Sequence, residues 1–165
     1  MFLESERLRL IACPAAVARA AIEERGKAAR LLGAALDEAW PGPELQDFLP
    51  FYAEMVEEDD SLLSWGIWLI VEHASQTVIG DVGFKGKPDE TGSVELGYSV
   101  VPTFRRQGYA SEAAECLLRW TVAVSDVTHV RAECLAENLP SIRTLEKLGF
   151  TRVSEEGEML LWEKL

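Results

Sequence analysis

The sequence has no long run of apolar residues, only three cysteines and only two histidines. A membrane-spanning helix needs about 20 predominantly apolar residues, so no membrane span is predicted. The N-terminus becomes charged at Glu4, before the apolar core of a signal peptide can form, which favours the cytosol. The cysteines are odd in number, and neither they nor His73 and His129 have metal-ligand spacing. A disulfide framework and a metal site are therefore both disfavoured.

Basic residues are also scarce, with 16 lysines and arginines against 28 aspartates and glutamates and a formal net charge of −12. Nucleic-acid binding depends on neutralising phosphates, so nucleic acid is a disfavoured partner and cationic ligands are favoured. The excess of acid also has a plain explanation in solubility. No Gly-x-Gly-x-x-Gly fingerprint is present, which argues against a dinucleotide-binding oxidoreductase. At 165 residues, one domain spanning positions 1–165 is expected.

Hydrophobic periodicity predicts an α/β protein with the element order β-α-α-β-β-β-α-β-α-β-β. Two helices are expected between the first two strands, one from Pro14 to about Ala39 with a break at Gly26 and one from Glu44 to Asp60. Two further helices are expected at 109–124 and after Asn138. The predicted strands are Arg7–Ile11, Trp65–Glu72, Thr77–Phe84, Ser93–Val101, Val127–Leu135, Phe150–Ser154 and Met159–Glu163.

The stretch from Val100 to Ala113 runs from a strand, through a basic turn, into an amphipathic helix. The first N–H groups of a helix lack partners inside the helix and lie at its positive dipole end, so this layout favours phosphate binding. Gly108 and Ala110 keep large side chains away from a ligand, while Arg105 and Arg106 add charged donors.

A second motif, Asn-x-x-Ser-x-x-x-Leu-x-Lys-x-Gly-Phe, occupies Asn138 to Phe150. Together with Arg105-x-x-Gly108-x-Ala110 and the preceding Glu95-Leu96-Gly97-Tyr98, it resembles the GNAT acyltransferases, particularly the branch of ribosomal-protein N-terminal acetyltransferases. The resemblance covers residues 94 to 150 well and the rest in outline. It implies a mixed, mostly antiparallel sheet of six to seven strands, with helices on both faces and strands splayed around an acyl-CoA site.

The resemblance also implies that the chain uses acetyl-CoA as co-substrate. The pyrophosphate would lie on the turn and the first helical residues, and the pantetheine would pair with the end of the preceding strand. The expected acetyl-CoA contacts are Arg105, Arg106, Gln107, Gly108, Tyr109, Ala110 and Ser111 for the pyrophosphate, and Ser99, Val100, Val101 and Asn138 for the pantetheine.

Similar enzymes have a carboxylate general base at the position of Glu95, which is the first candidate here. An ordinary solvated or ion-paired strand carboxylate explains Glu95 equally well. Many family members carry a thiolate-protonating tyrosine in the register of Leu145, and Ser141 is the hydroxyl one turn earlier. Helix capping alone explains Ser141 and Asn138. Tyr98 and Tyr109 are two further candidate acids, and packing alone also explains each of them.

The resemblance favours direct acetyl transfer to a primary amine through a ternary complex. The acceptor could be a protein N-terminus, a polyamine, an aminoglycoside or a small metabolite. Acid clusters at 57–60 and 155–158 would suit a cationic acceptor, although solvated turns are as common a reason for such runs. A non-catalytic acyl-CoA sensor is the alternative function. A homodimer is compatible with the sequence.

Overall fold

The computed structural model describes residues 1–124 and 127–165. The helices are α1 (Ala15–Glu23), α2 (Arg25–Leu32), α3 (Pro43–Glu58), α4 (Tyr109–Ala123) and α5 (Leu139–Lys147), with short 3-10 turns at Asp60–Trp65 and Pro102–Phe104. The strands are β1 (Phe2–Glu4), β2 (Leu8–Ala12), β3 (Ala35–Leu36), β4 (Ile67–Glu72), β5 (Thr77–Phe84), β6 (Ser93–Val100), β7 (His129–Leu135), β8 (Thr151–Glu156) and β9 (Met159–Lys164). In the described part of the chain, no helix is long and apolar enough to cross a bilayer.

The strands form one sheet in the order β1-β2-β4-β5-β6-β7-β9-β8, with β3 paired to β5. Pairing along this order is antiparallel except between β6 and β7, which the chain joins by a crossover through α4. The expected mixed, mostly antiparallel sheet is confirmed. The expected count of six to seven strands is too low, because the short strands β1 and β3 were not predicted.

Three further predicted element bounds differ from those in the structure. The alanine-rich segment forms two helices separated at Glu24, whose φ of −153° ends α1, while Gly26 lies within α2. The helical region ends at Leu32 instead of near Ala39, because Gly33 has positive φ and β3 follows. Trp65 belongs to a 3-10 turn, so β4 begins at Ile67. The strand β7 begins at His129 instead of Val127.

The parallel pair β6–β7 separates partway along its length. Pairing extends only from Ser93 with His129 to Leu96 with Ala132. Beyond this point β6 continues to Val100, whereas β7 continues to Leu135 paired with β9. The ends of β6 and β7 therefore form a fork in the middle of the sheet, as the resemblance implied.

The two faces of the sheet are covered differently. Side chains alternate between faces along each strand. The face carrying Trp68 packs on α4, where the rings of Trp68 and Trp120 lie 5.8 Å apart. The helices α1, α2 and α3 cover the opposite face over the first strands of the sheet. There the Tyr52 hydroxyl of α3 donates to the carbonyl of Cys13, just after β2, at 2.9 Å. We call these the α4 face and the α3 face.

On the α3 face, β5 and β6 place three cross-strand pairs in successive rows: Asp81 with Ser99, Gly83 with Gly97, and Lys85 with Glu95. A side chain at Gly83 would overlap the Gly66 carbonyl oxygen, 2.0 Å from an added Cβ, whereas a Cβ at Gly97 meets nothing within 4 Å. Gly83 thus permits the close approach of Gly66, just before β4, and Gly97 leaves an open floor. We call this floor, with the flanking Asp81–Ser99 and Lys85–Glu95 rows, the trough.

The two glycines give a matched stability test. We expect Gly83→Ala to destabilise the fold by about 3 kcal/mol, because the overlapping atom is backbone and has little freedom to move. Gly97→Ala should leave the stability within about 1 kcal/mol of wild type, since the space is open. Urea unfolding monitored by tryptophan fluorescence measures both variants. Equal stabilities would contradict the close approach of Gly66 to Gly83.

Candidate functional site

The turn before α4 has the geometry of an anion site. Gly108 precedes the helix with φ of +80°, and no side chain caps this helix N-terminus. Arg106 also has positive φ, at +61°. Arg105 donates from Nε to the Val100 carbonyl at 2.8 Å, which ties the turn to the end of β6. The first N–H groups of α4 and its dipole therefore face an open, basic turn.

Arg7, which the sequence reasoning did not select, holds this turn from the N-terminal segment. Its guanidinium donates to the Gln107 carbonyl at 2.9 Å and to the Glu112 carboxylate at 2.7 Å. It also lies 4.3 Å from the centre of the Tyr109 ring, whose hydroxyl donates to Glu72. Arg7 thus holds two of the predicted ligand residues in place, Gln107 through its carbonyl and Tyr109 through its ring. The other two, Ala110 and Ser111, lie in the first turn of α4.

A groove of about 900 Å³ extends from this turn along α4 to the end of α5. Its walls carry both charges. Arg7 and Arg119 are paired with the lining carboxylates Glu112 and Glu115, whereas Lys147 and Lys164 lie on the far side and form none of the ion pairs among the described residues. A groove with cations and uncapped helical N–H groups suits a ligand with several phosphates. Sequence reasoning included Lys147 only as part of a motif and missed Lys164, because its contribution depends on the position of the last strand.

The fork exposes main-chain groups of β6. Val101 donates its N–H to the Ile79 carbonyl at 2.9 Å, and its own carbonyl accepts from Phe104. Since hydrogen-bonding direction alternates along a strand, Ser99 also directs its main chain toward β5, whereas Tyr98 and Val100 direct theirs into the fork. The Val100 carbonyl already accepts from Arg105, so its N–H is the group it offers there. Of the three residues predicted to pair with the pantetheine, Ser99 and Val101 thus face β5 and only Val100 faces the fork, as does Tyr98.

Two hydroxyl groups meet on the α4 face of the fork. The Tyr98 hydroxyl lies 2.7 Å from Ser141 Oγ, at the beginning of α5. Asn138 caps α5 by accepting from the Ser141 N–H at 3.2 Å. Burial raises the pKa of the Tyr98 hydroxyl, although its bond to Ser141 lowers it. At neutral pH the pair therefore holds protons on both oxygens. Leu145, in the register of the family tyrosine, is fully buried.

The trough lies on the other side of the fork. Glu95 is half-buried and forms an ion pair with Lys85, the residue that follows β5 and lies opposite it. Asp81 is also half-buried and accepts from Trp40 Nε1 at 3.0 Å. Burial raises the pKa of Asp81 to about 6, although the Trp40 bond lowers it. Sequence reasoning missed Asp81, but a lone carboxylate inside the apolar run from Val78 to Val82 was a usable signal.

The acidic clusters are partly neutralised by neighbouring cations. Glu57 pairs with Arg19, Asp59 with Lys87, and Glu155 with Arg152. The hydrogen bonds from Lys87 and Ser61 lower the pKa of Asp59 to about 2. These pairs weaken the case for the clusters as an acceptor site. Across the residues with described positions, no group of three or more His, Cys, Asp or Glu side chains is placed to hold a metal ion.

Comparison with known proteins agrees with this geometry. Residues 18–151 match the family model described as an acetyltransferase (GNAT) domain. Over 98% of this chain and 96% of the relative, the sequence is 32% identical to the N-acetyltransferase YjdG of Bacillus subtilis. The chain belongs to the GNAT acetyltransferase family and is an N-acetyltransferase.

Two solved structures show the same fold. The ribosomal-protein-S5-alanine acetyltransferase of Vibrio fischeri aligns with a TM-score of 0.70 and 18% identity, over 100% of this chain and 96% of that one. The RimL ribosomal L7/L12 alpha-N-protein acetyltransferase in complex with coenzyme A aligns with a TM-score of 0.72 and 17% identity, over 100% and 98% of the two chains. Both comparisons establish the fold.

The phosphate turn can be tested by a substitution at its glycine. Gly108→Val should weaken acetyl-CoA binding at least about tenfold, because a branched side chain enters the space in front of the helical N–H groups. Calorimetric titration measures the affinity. Gly33→Val is a matched control, since Gly33 has φ of +67° and open space around it but lies away from the turn. Equal acetyl-CoA affinities in the two folded variants would contradict the assignment.

Proposed function

We propose that the protein transfers the acetyl group of acetyl-CoA directly to a primary amine in a ternary complex. The observation that carries this proposal is the fork between β6 and β7, which joins the phosphate turn to the trough. The donor would approach along the α4 face and the acceptor along the α3 face. The two reactants would then meet at the fork without a covalent enzyme intermediate.

The phosphates of acetyl-CoA would be held by the turn from Arg105 to Ser111 and by the cations of the adjoining groove. The pantetheine would pair with main-chain groups of Tyr98 and Val100. Asn138 caps α5 at Ser141, whose hydroxyl contacts Tyr98 at the fork, so Asn138 lies beside the fork. These groups hold the thioester in position, which supplies much of the rate advantage of a bimolecular transfer.

The chemistry requires two proton movements. The neutral amine attacks the thioester carbonyl, a C–N bond forms, and the carbon–sulfur bond breaks to release the CoA thiolate. Glu95 is the proposed base that takes the amine proton, through water, from the α3 face. The Ser141–Tyr98 pair is the proposed proton donor to the thiolate from the α4 face. A main-chain N–H in the fork would stabilise the oxyanion.

The overall activity is tested by following CoA thiol release with a panel of primary amines, including peptide N-termini, polyamines and aminoglycosides. Peptide N-termini belong in the panel because the structurally similar proteins include ribosomal-protein acetyltransferases. We expect turnover with at least one amine. Tight acetyl-CoA binding without turnover on any amine would favour the non-catalytic sensor instead.

The base assignment predicts that Glu95→Gln lowers kcat roughly a hundredfold, within the usual range for general acid–base groups. Acetyl-CoA affinity should stay unchanged, because the residue lies away from the phosphate turn. Lys85→Gln is the matched control, since it removes the ion pair but keeps the carboxylate. If Glu95→Gln retains wild-type turnover across pH, Glu95 is structural and its ion pair with Lys85 is its whole role.

The acid assignment predicts coupled effects at Tyr98 and Ser141. We expect Tyr98→Phe and Ser141→Ala each to lower kcat about tenfold, and the double variant to lose little more, because both residues act on one proton. Steady-state kinetics over a pH range measures the cycle. Fully multiplicative losses would show that the hydroxyls act separately, and unchanged kcat in both variants would assign the proton to solvent.

A further inference from the structure

Asp81 is a carboxylate whose charge the protein itself leaves unbalanced. Its side chain is half-buried in the middle of the sheet, between Leu69 on β4 and Ser99 on β6. None of the ion pairs formed by the described residues includes Asp81. The Trp40 N–H occupies one carboxylate oxygen, Oδ2. A partly buried carboxylate without a neighbouring cation lowers the stability of the folded protein, so Asp81 needs an explanation other than stability.

The surroundings of Asp81 leave the charge open to a ligand. Buried Leu69 lies on one side, and the exposed Ser99 lies on the other, at the edge of the open trough. Burial raises the pKa of the nearby Cys13 thiol to about 12 and raises the pKa of the Tyr52 hydroxyl, so both groups are neutral at pH 7. Arg25 donates to the carbonyls of Trp40 and Asp37, on the loop that carries the indole.

The spacing of the trough defines what fits. The rows Asp81–Ser99, Gly83–Gly97 and Lys85–Glu95 are two residues apart, or about 7 Å each at the rise of a strand. Glu95 is already balanced by Lys85, whereas Asp81 is not. An aliphatic diamine with about three or four methylene groups between its nitrogens spans one such step. Its reacting amine would then lie above the open floor at Gly97.

We propose that Asp81 binds the second, non-reacting ammonium group of a diamine or polyamine acceptor, with Trp40 holding the carboxylate in place. This inference rests on the proposed acetyl transfer and names its acceptor class. Asp81 is thus a specificity-determining residue, and the positive charge of the acceptor completes an ion pair that the free protein lacks. An acceptor with a single amine forgoes this contact.

The test compares diaminobutane with butylamine, which differ by one ammonium group. Calorimetric titration into protein saturated with CoA should show diaminobutane bound at least about tenfold more tightly at pH 7.5. Asp81→Asn should abolish this preference without unfolding, because the asparagine oxygen still accepts from Trp40. Glu90→Gln, which removes an exposed carboxylate from the turn before β6, away from the trough floor, should keep the preference. A preference retained in Asp81→Asn, or no preference in wild type, would overturn the proposal.

The pH dependence separates charge recognition from a purely structural role. The raised pKa of about 6 means that Asp81 is ionised above that pH and neutral below it, so the preference for diaminobutane should disappear as the pH falls through 6. Trp40→Phe removes the hydrogen bond that lowers the pKa of Asp81, so this variant should lose the preference for diaminobutane at a higher pH than wild type. A structural carboxylate would show neither change. Diaminobutane binding without CoA thiol release from acetyl-CoA would leave this site standing and reject the transfer reaction.

Discussion

The loss of pairing between β6 and β7 is the constraint on which the rest of the site depends. A parallel pair satisfies its main-chain groups along its whole length, but here it stops after Leu96 and Ala132. The freed end of β6 then offers polar main-chain groups to a ligand, and both faces of the sheet become accessible at one point. Residues on opposite faces, such as Tyr98 and Glu95, therefore lie close to the same opening.

The two sides of this opening also carry different charged side chains. Cations line the groove along α4, with Arg7 at the turn and Lys147 and Lys164 on the far side, although the chain as a whole carries a net charge of −12. Carboxylates occur on the other face, where Glu95 and Asp81 flank Gly97. Overall charge thus describes neither half of the site, because the local field near each ligand comes from a few side chains.

The sequence predicted most of the fold and the half of the site that is continuous in the chain. The turn at Gly108 and the cap at Asn138 were predictable because their geometry depends on neighbouring residues. The two-residue strand β3 was not, since so short an element carries no periodicity. Arg7, Asp81 and the meeting of Tyr98 with Ser141 depend on which distant segments the sheet brings together. Strand order and register decide those contacts, and neither can be read from the local pattern of a single strand.

The brace formed by Arg7 couples ligand binding to the folding of the entire chain. Its bond to Glu112 joins residues 105 positions apart, so the turn proposed to bind the donor's phosphates is complete only when the N-terminal segment has docked against α4. A ligand that binds only the completed site stabilises the native state by mass action. The melting temperature should therefore rise with donor concentration, and cellular levels of the donor would help to set how much of this protein escapes proteolysis.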